Sequence, residues 1–294
     1  MSEVRSCPGL VSAHSHAFQR AIRGRTEQPS GVGQDTFWTW REAMYQAANR
    51  LSPEDIYDVS RMTFLEMALA GITAVGEFHY LHNAPDGTRY DDSNLLAKQV
   101  IRAATDVGLR IVLLNTAYVR GGQPRFLTPS IDDFIRDTED LRGCSTELVS
   151  IGVAPHSVRA VPLDYLRGVA QGPAWKSSRH RLVALHHHVV PLPHGVGRGA
   201  PTEIGMRLDD SKAVAEVFDE LGVTLVLHGH RHVSEQRQPA GSNFRILASP
   251  SLTLGCRSGD VPSYWRIELG DHAHVTRARI PVAAIDQQAD PSEE

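Results

Sequence analysis

The chain has 294 residues, with 30 Lys and Arg against 34 Asp and Glu and a formal net charge of -4 at pH 7, a balance that excludes a strongly basic nucleic-acid binder. Hydrophobic residues at 41% and charged residues at 22% are the values of a chain that buries a core. No apolar run approaches the roughly 18 to 20 residues of a membrane span, because Glu66 interrupts the best candidate. Cys7, Cys144 and Cys256 are far apart and in no CxxC pattern. That spacing suggests neither a disulfide framework nor a thiolate zinc site and, with no signal peptide in view, predicts a cytoplasmic protein.

From Ser52 onward the pattern alternates between helix and strand. Ser52-Pro53-Glu54-Asp55 combines an N-cap, a proline at the first helical position and an acid three residues after the cap. The apolar set Ile56, Val59, Met62, Phe64, Met67 and Leu69 continues as a helix that ends at Gly71. Strands are predicted at 72–78, 111–114 and 148–153, with helices at 94–107, 131–141 and 162–169, the arrangement of a parallel sheet with crossover helices. Gly172-Pro173 and the polar run to His180 read as a break. Beyond it come a strand at 182–185, a Pro/Gly-rich loop at 191–201, a helix at 211–221 and strands at 223–227, 244–247, 265–269 and 274–279. The acidic end is predicted to be a disordered tail.

Fifteen histidines are the unusual feature of the composition, and several are clustered. Val11-Ser12-Ala13-His14-Ser15-His16 places two imidazoles two apart, which on a strand project from one face and are able to share one metal ion. A solvated loop with two incidental histidines is the competing reading. Gly76-Glu77-Phe78-His79-Tyr80 and Ala154-Pro155-His156-Ser157-Val158-Arg159 then bring polar groups to the carboxyl ends of successive strands, where α/β sheets and barrels build active sites.

These motifs, with Pro8 to Arg20 and Phe37-Trp38-Thr39-Trp40-Arg41, resemble the formimidoylglutamate deiminases of the amidohydrolase superfamily over residues 8–167. The resemblance implies a (β/α)8 barrel with zinc, hydrolysis of a C–N bond in N-formimino-L-glutamate during histidine degradation, and ammonia as a product. It implies His14 and His16 as zinc ligands, and Gln19, Arg41, Tyr80, His156 and Arg159 as substrate contacts. Two guanidinium groups suit a dicarboxylate. The family's third zinc histidine, its glutamate proton shuttle, its further catalytic histidine and its metal-binding aspartate find no matching positions, so no catalytic residue is assigned.

A second cluster follows buried strands. Leu185-His186-His187-His188 and Leu227-His228-Gly229-His230-Arg231-His232, with the segments around Ser251 and Trp265, resemble the carboxy-terminal half of calcineurin-like metallophosphoesterases over residues 179–282. That resemblance implies His186, or His187 if the register slips by one, with His230 and His232 as ligands of a manganese or iron–zinc pair. The family's first three metal-binding blocks, which carry its carboxylates, are absent.

The combined expectation is an α/β chain: a partial (β/α)8 amidohydrolase-type barrel at 1–170, joined to the C-terminal half of a metallophosphoesterase αββα sandwich at 171–285, with a disordered tail at 286–294. Its expected function is metal-dependent hydrolysis of the deiminase type. Phosphoester hydrolysis and an inactive chimeric metal-binding protein are the alternatives. The expected partner is a small-molecule substrate, with neither nucleic acid nor membrane, and the oligomeric state is not set by the sequence.

Overall fold

The computed structural model describes residues 9–26, 37–156, 161–185, 188–190, 210–229, 233–249 and 263–279. The chain divides into two units, Met1–Val169 and Ala170–Glu294.

In the first unit β1 (Leu10–Ser15) is followed by a 3-10 turn (Ala17–Ile22), α1 (Phe37–Ala48), α2 (Pro53–Leu69) and β2 (Ile72–His79). Then come α3 (Leu95–Val107), β3 (Arg110–Ala117), α4 (Ile131–Arg142), β4 (Val149–Pro155) and α5 (Leu163–Val169). The four strands are parallel and lie in chain order, β1-β2-β3-β4, with a helix in each crossover. Consecutive order with intervening helices is the repeat of a (β/α) barrel.

The local chemistry explains the elements. The Ser52 hydroxyl accepts from Asp55 N–H at 3.1 Å while the Asp55 carboxylate accepts from Ser52 N–H at 2.9 Å, a reciprocal cap at the start of α2. Gly108 closes α3 at φ 78, the left-handed conformation that glycine adopts without a Cβ penalty. Phe64 and Ile56 of α2, Val100 and Ala104 of α3, and Ile111 and Leu113 of β3 are buried in one core, so the sheet and its crossover helices share a single apolar layer.

The strand bounds differ from the sequence expectation where polar residues are buried. The strand expected at 111–114 continues to Ala117, with the polar Asn115 and Thr116 both buried in β3. Asn115 Nδ2 donates to Thr138 Oγ1 at 2.8 Å, which satisfies the amide without ending the ladder. Helix α1 is an element with no counterpart in the sequence reading.

The second unit contains α6 (Pro173–Ser177), β5 (Leu182–Leu185), α7 (Ser211–Glu220), β6 (Leu225–His228), β7 (Glu235–Arg237), β8 (Arg245–Ala248), β9 (Ser263–Leu269) and β10 (Ala273–Arg279). Its sheet runs β5-β6-β8-β7, with the first three strands parallel and β7 antiparallel at the edge. β9 and β10 form an antiparallel hairpin, tied to the sheet where Trp265 Nε1 donates to the Ala248 carbonyl at 2.8 Å. The strand expected at 223–227 starts later, at Leu225, because Val223 N–H caps α7 by donating to the Phe218 carbonyl at 2.9 Å. The predicted tail at 286–294 lies outside the described residues. No helix among the described residues is long and apolar enough to cross a membrane.

Candidate metal centre and substrate pocket

β1 ends at Ser15, so strand alternation alone does not align the two histidines. His16 sits one residue later, at the entry to the 3-10 turn, with φ -131 and ψ 80. Even so, the two rings meet: His14 Nε2 and His16 Nε2 are 3.0 Å apart. The His16 ring is oriented by its other nitrogen, because Nδ1 lies 3.0 Å from the Phe78 carbonyl and a carbonyl only accepts. Nδ1 therefore carries the proton, which leaves the Nε2 lone pair directed at His14.

The turn itself is clamped from two sides. Ala17 N–H donates to Glu77 Oε1 at 2.7 Å, and the Thr63 hydroxyl donates to the Ala17 carbonyl at 3.2 Å. Further along the turn, Arg20 makes two hydrogen bonds to Glu66 of α2, at 3.0 and 2.8 Å. These hold the segment that carries Gln19 on the same side as Tyr80.

Electrostatics favour neutral imidazoles. His14 is exposed, and partial desolvation lowers its pKa. His16 is lowered to about 4, chiefly by burial and further by neighbouring His14 and His156, with the Phe78 hydrogen bond opposing. Neutral rings are the form that binds a metal. Two ligands each about 2.0 to 2.1 Å from one zinc ion lie within about 4.2 Å of each other, so the pair fits two positions of a zinc site. Among the described residues no third His, Cys, Asp or Glu joins them.

The candidate substrate contacts surround this pair. Tyr80 is buried and its hydroxyl accepts from Gln19 Nε2 at 3.0 Å. Burial pushes its pKa up. The Tyr80 ring lies edge-on to His16 at 5.2 Å and to His156 at 5.8 Å. Partial desolvation lowers the His156 pKa, and its ring packs on Tyr118 at 4.2 Å. Tyr118 is hydrogen-bonded to Tyr45 and pushed up to about 12, by burial first, with Arg41 pulling the other way. The Arg41 guanidinium lies 4.3 Å over the Trp38 ring and 5.3 Å over Tyr45.

Gln19, Arg41, Tyr80 and His156 thus fall into one aromatic-lined neighbourhood with His14 and His16. Arg159, His186, His230 and His232 lie outside the described residues. Tyr118, Tyr45 and Glu77 are contacts the sequence reading did not single out. Tyr118 follows β3 directly, and its position at a strand's carboxyl end is the signal that marks it.

The amidohydrolase family model matches residues 6–195. The chain belongs to the amidohydrolase family. The match runs past residue 167, where the sequence reading ended the resemblance. The chain is 42% identical over 192 residues to the formimidoylglutamate deiminase of Pseudomonas aeruginosa, covering 62% of this chain and 41% of that relative. It is 26% identical over 272 residues to the 8-oxoguanine deaminase of the same organism, covering 87% of this chain and 55% of that relative. An amidohydrolase structure from Brucella melitensis superimposes with a TM-score of 0.55 at 29% identity, over 75% of this chain and 54% of that one. The zinc complex of atrazine chlorohydrolase TrzN from Arthrobacter aurescens gives 0.56 at 22% identity, over 78% and 49%, a likeness of fold. The chain spans about half the length of the curated relatives it matches. Within an amidohydrolase frame, the carboxyl ends of β1 to β4 form one mouth, and the histidine pair, Tyr80, Tyr118 and His156 all sit there.

Proposed function

We propose that this chain is a zinc-dependent hydrolase of the formimidoylglutamate deiminase type, acting in the cytoplasm to break a C–N bond of N-formimino-L-glutamate and release ammonia. The observation that carries this reading is the 3.0 Å approach of His14 Nε2 and His16 Nε2 within the ring of Gln19, Tyr80, His156 and Arg41. The 42% identity to a formimidoylglutamate deiminase supports the choice of substrate.

When bound, zinc supplies Lewis acidity that lowers the pKa of water. The chain's own residues take these parts. His14 and His16 hold the metal as neutral donors. Arg41, stiffened by its stack on Trp38, takes a substrate carboxylate, with Arg159 as the second guanidinium for a dicarboxylate. Gln19 and Tyr80, already hydrogen-bonded to each other, orient the polar formimino end. His156, whose pKa is lowered by partial desolvation, offers in its neutral form one donor and one acceptor beside it. Phe78 and Tyr118 add aromatic surface beside His14, His16 and His156. Ammonia release from N-formimino-L-glutamate by the purified chain, abolished in His14→Ala, is the expected result. Equal rates in the two proteins contradict the reading.

A second reading concerns the Ala170–Glu294 unit. β5 and β6 are parallel neighbours in register, Leu182 with Leu225 through Leu185 with His228. In the sequence His186 follows β5, and His230 and His232 follow β6. The succession of strand and histidines in the sequence would suit a metallophosphoesterase-like site for a manganese or iron–zinc pair in a chimeric chain, although the amidohydrolase match to residue 195 runs across β5. Hydrolysis of an aryl phosphodiester with added manganese, lost in His230→Ala, is its expected signature. No turnover with manganese present contradicts it.

A further inference from the structure

Glu77 is fully enclosed on the core side of β2, 2% exposed, in a unit whose other buried β2 side chains include Val75. One of its oxygens accepts from Ala17 N–H at 2.7 Å. Oε2 is buried and makes no hydrogen bond of normal geometry among the described residues, with the Ser15 side chain as the other polar group that acts on the carboxyl. Partly satisfied burial of a carboxyl group is costly, and a neutral acceptor is sufficient to hold a turn. Its location explains the choice. Ser15 pairs with Glu77 across β1 and β2, the next residue His16 bonds through Nδ1 to the carbonyl of the next residue Phe78, and Ala17 returns to the Glu77 side chain. Two adjacent residues are thus tied to two adjacent residues, and the His16 ring has no freedom to turn away from His14.

We infer that Glu77 is a positioning residue for the histidine pair: its carboxyl, through Ala17 N–H, fixes the turn after β1 so that His16 Nε2 faces His14 Nε2 and a metal meets a preorganised pair. The inference rests on the metal-binding reading above. Groups that orient metal ligands from behind typically change metal affinity by about 10- to 100-fold when removed.

The test is zinc affinity of the full chain, measured by competition against a chromophoric chelator, for the parent, Glu77→Gln and Glu77→Ala. Each is paired with a urea midpoint and the imidazole nitrogen shifts of metal-free protein. Glu77→Gln keeps an acceptor for Ala17 N–H and is expected to stay within about threefold of the parent. Glu77→Ala is expected to lose about tenfold or more, with the His16 signal moving from a single Nδ1–H tautomer to a mixture. Parent-like affinity and tautomer in Glu77→Ala overturn the inference and leave the metal reading standing. A parent chain that binds no zinc overturns both. If Glu77→Ala does not fold, a tenfold loss in folded Glu77→Gln overturns the inference, because the acceptor is still present.

Discussion

His79 and His82 stand beside the site but are tied to the core. His82 Nε2 lies 2.8 Å from the Thr116 carbonyl, and the two rings are 5.8 Å apart. Burial, the largest cause in each case, lowers His79 to about 3 and His82 to about 4. A base whose pKa is lower in the folded state binds fewer protons than the unfolded chain, so its contribution is fully present above about 6.5 and is lost as pH falls toward 4. Glu77 acts in the opposite sense. Burial raises it to about 7, opposed by Ala17 N–H and Ser15, so its contribution is fully present below its unfolded value and is lost as pH rises through 7. The two histidines outweigh the one carboxyl below pH 6, and urea stability is expected to fall as pH falls from 6.5 to 4.5. His79→Gln should remove a slope of about 1.4 kcal/mol per pH unit; an unchanged slope contradicts the burial of a neutral ring. For substrate, Arg41→Ala is expected to raise KM for N-formimino-L-glutamate by about tenfold or more with kcat within about threefold, because a carboxylate clamp acts on binding. A drop in kcat with KM unchanged removes Arg41 from that role.

At the scale of elements, the β1–β2 pair sets the site, and Gly76 sets how closely those strands approach. A Cβ on Gly76 meets the Ala13 carbonyl oxygen at 2.7 Å, next to His14. Gly76→Ala must push β1 away, and zinc affinity is expected to fall by about tenfold in a chain that still folds. Ser52→Ala removes the reciprocal cap of α2 far from the metal pair and should cost about 1 kcal/mol in urea unfolding with zinc affinity unchanged. The same elements show what a sequence discloses. Helix α2 was legible because its cap, proline and apolar stripe are all local. α1 was not: Phe37-Trp38-Thr39-Trp40 has weak helix formers at its start, and the burial of Met44, Tyr45 and Ala48 depends on tertiary contacts. β7 was not legible either, since Glu235-Gln236-Arg237 has no strand composition and pairs through its backbone with β8. In the site, the HxH pair was legible as a spacing. The Glu77 and Phe78 contacts that orient it were not, because they join positions about 60 residues apart.

At the scale of the molecule, the first unit carries four of the eight strands that close an amidohydrolase barrel. Among its described residues β1 pairs only with β2, and β4 only with β3, and Leu10 and Val11 on β1 are 62% and 69% exposed. On the proposed reading His14 and His16 are two of the ligands of a zinc site, so affinity depends on how well those two are held. The measurement that bears most directly on this account is the zinc content of monodisperse protein, by elemental analysis, for the parent chain and the His14→Ala/His16→Ala double variant. The account predicts zinc at about one equivalent at the pair, lost in the double variant. A folded parent with no zinc, or a double variant with the same content, contradicts it.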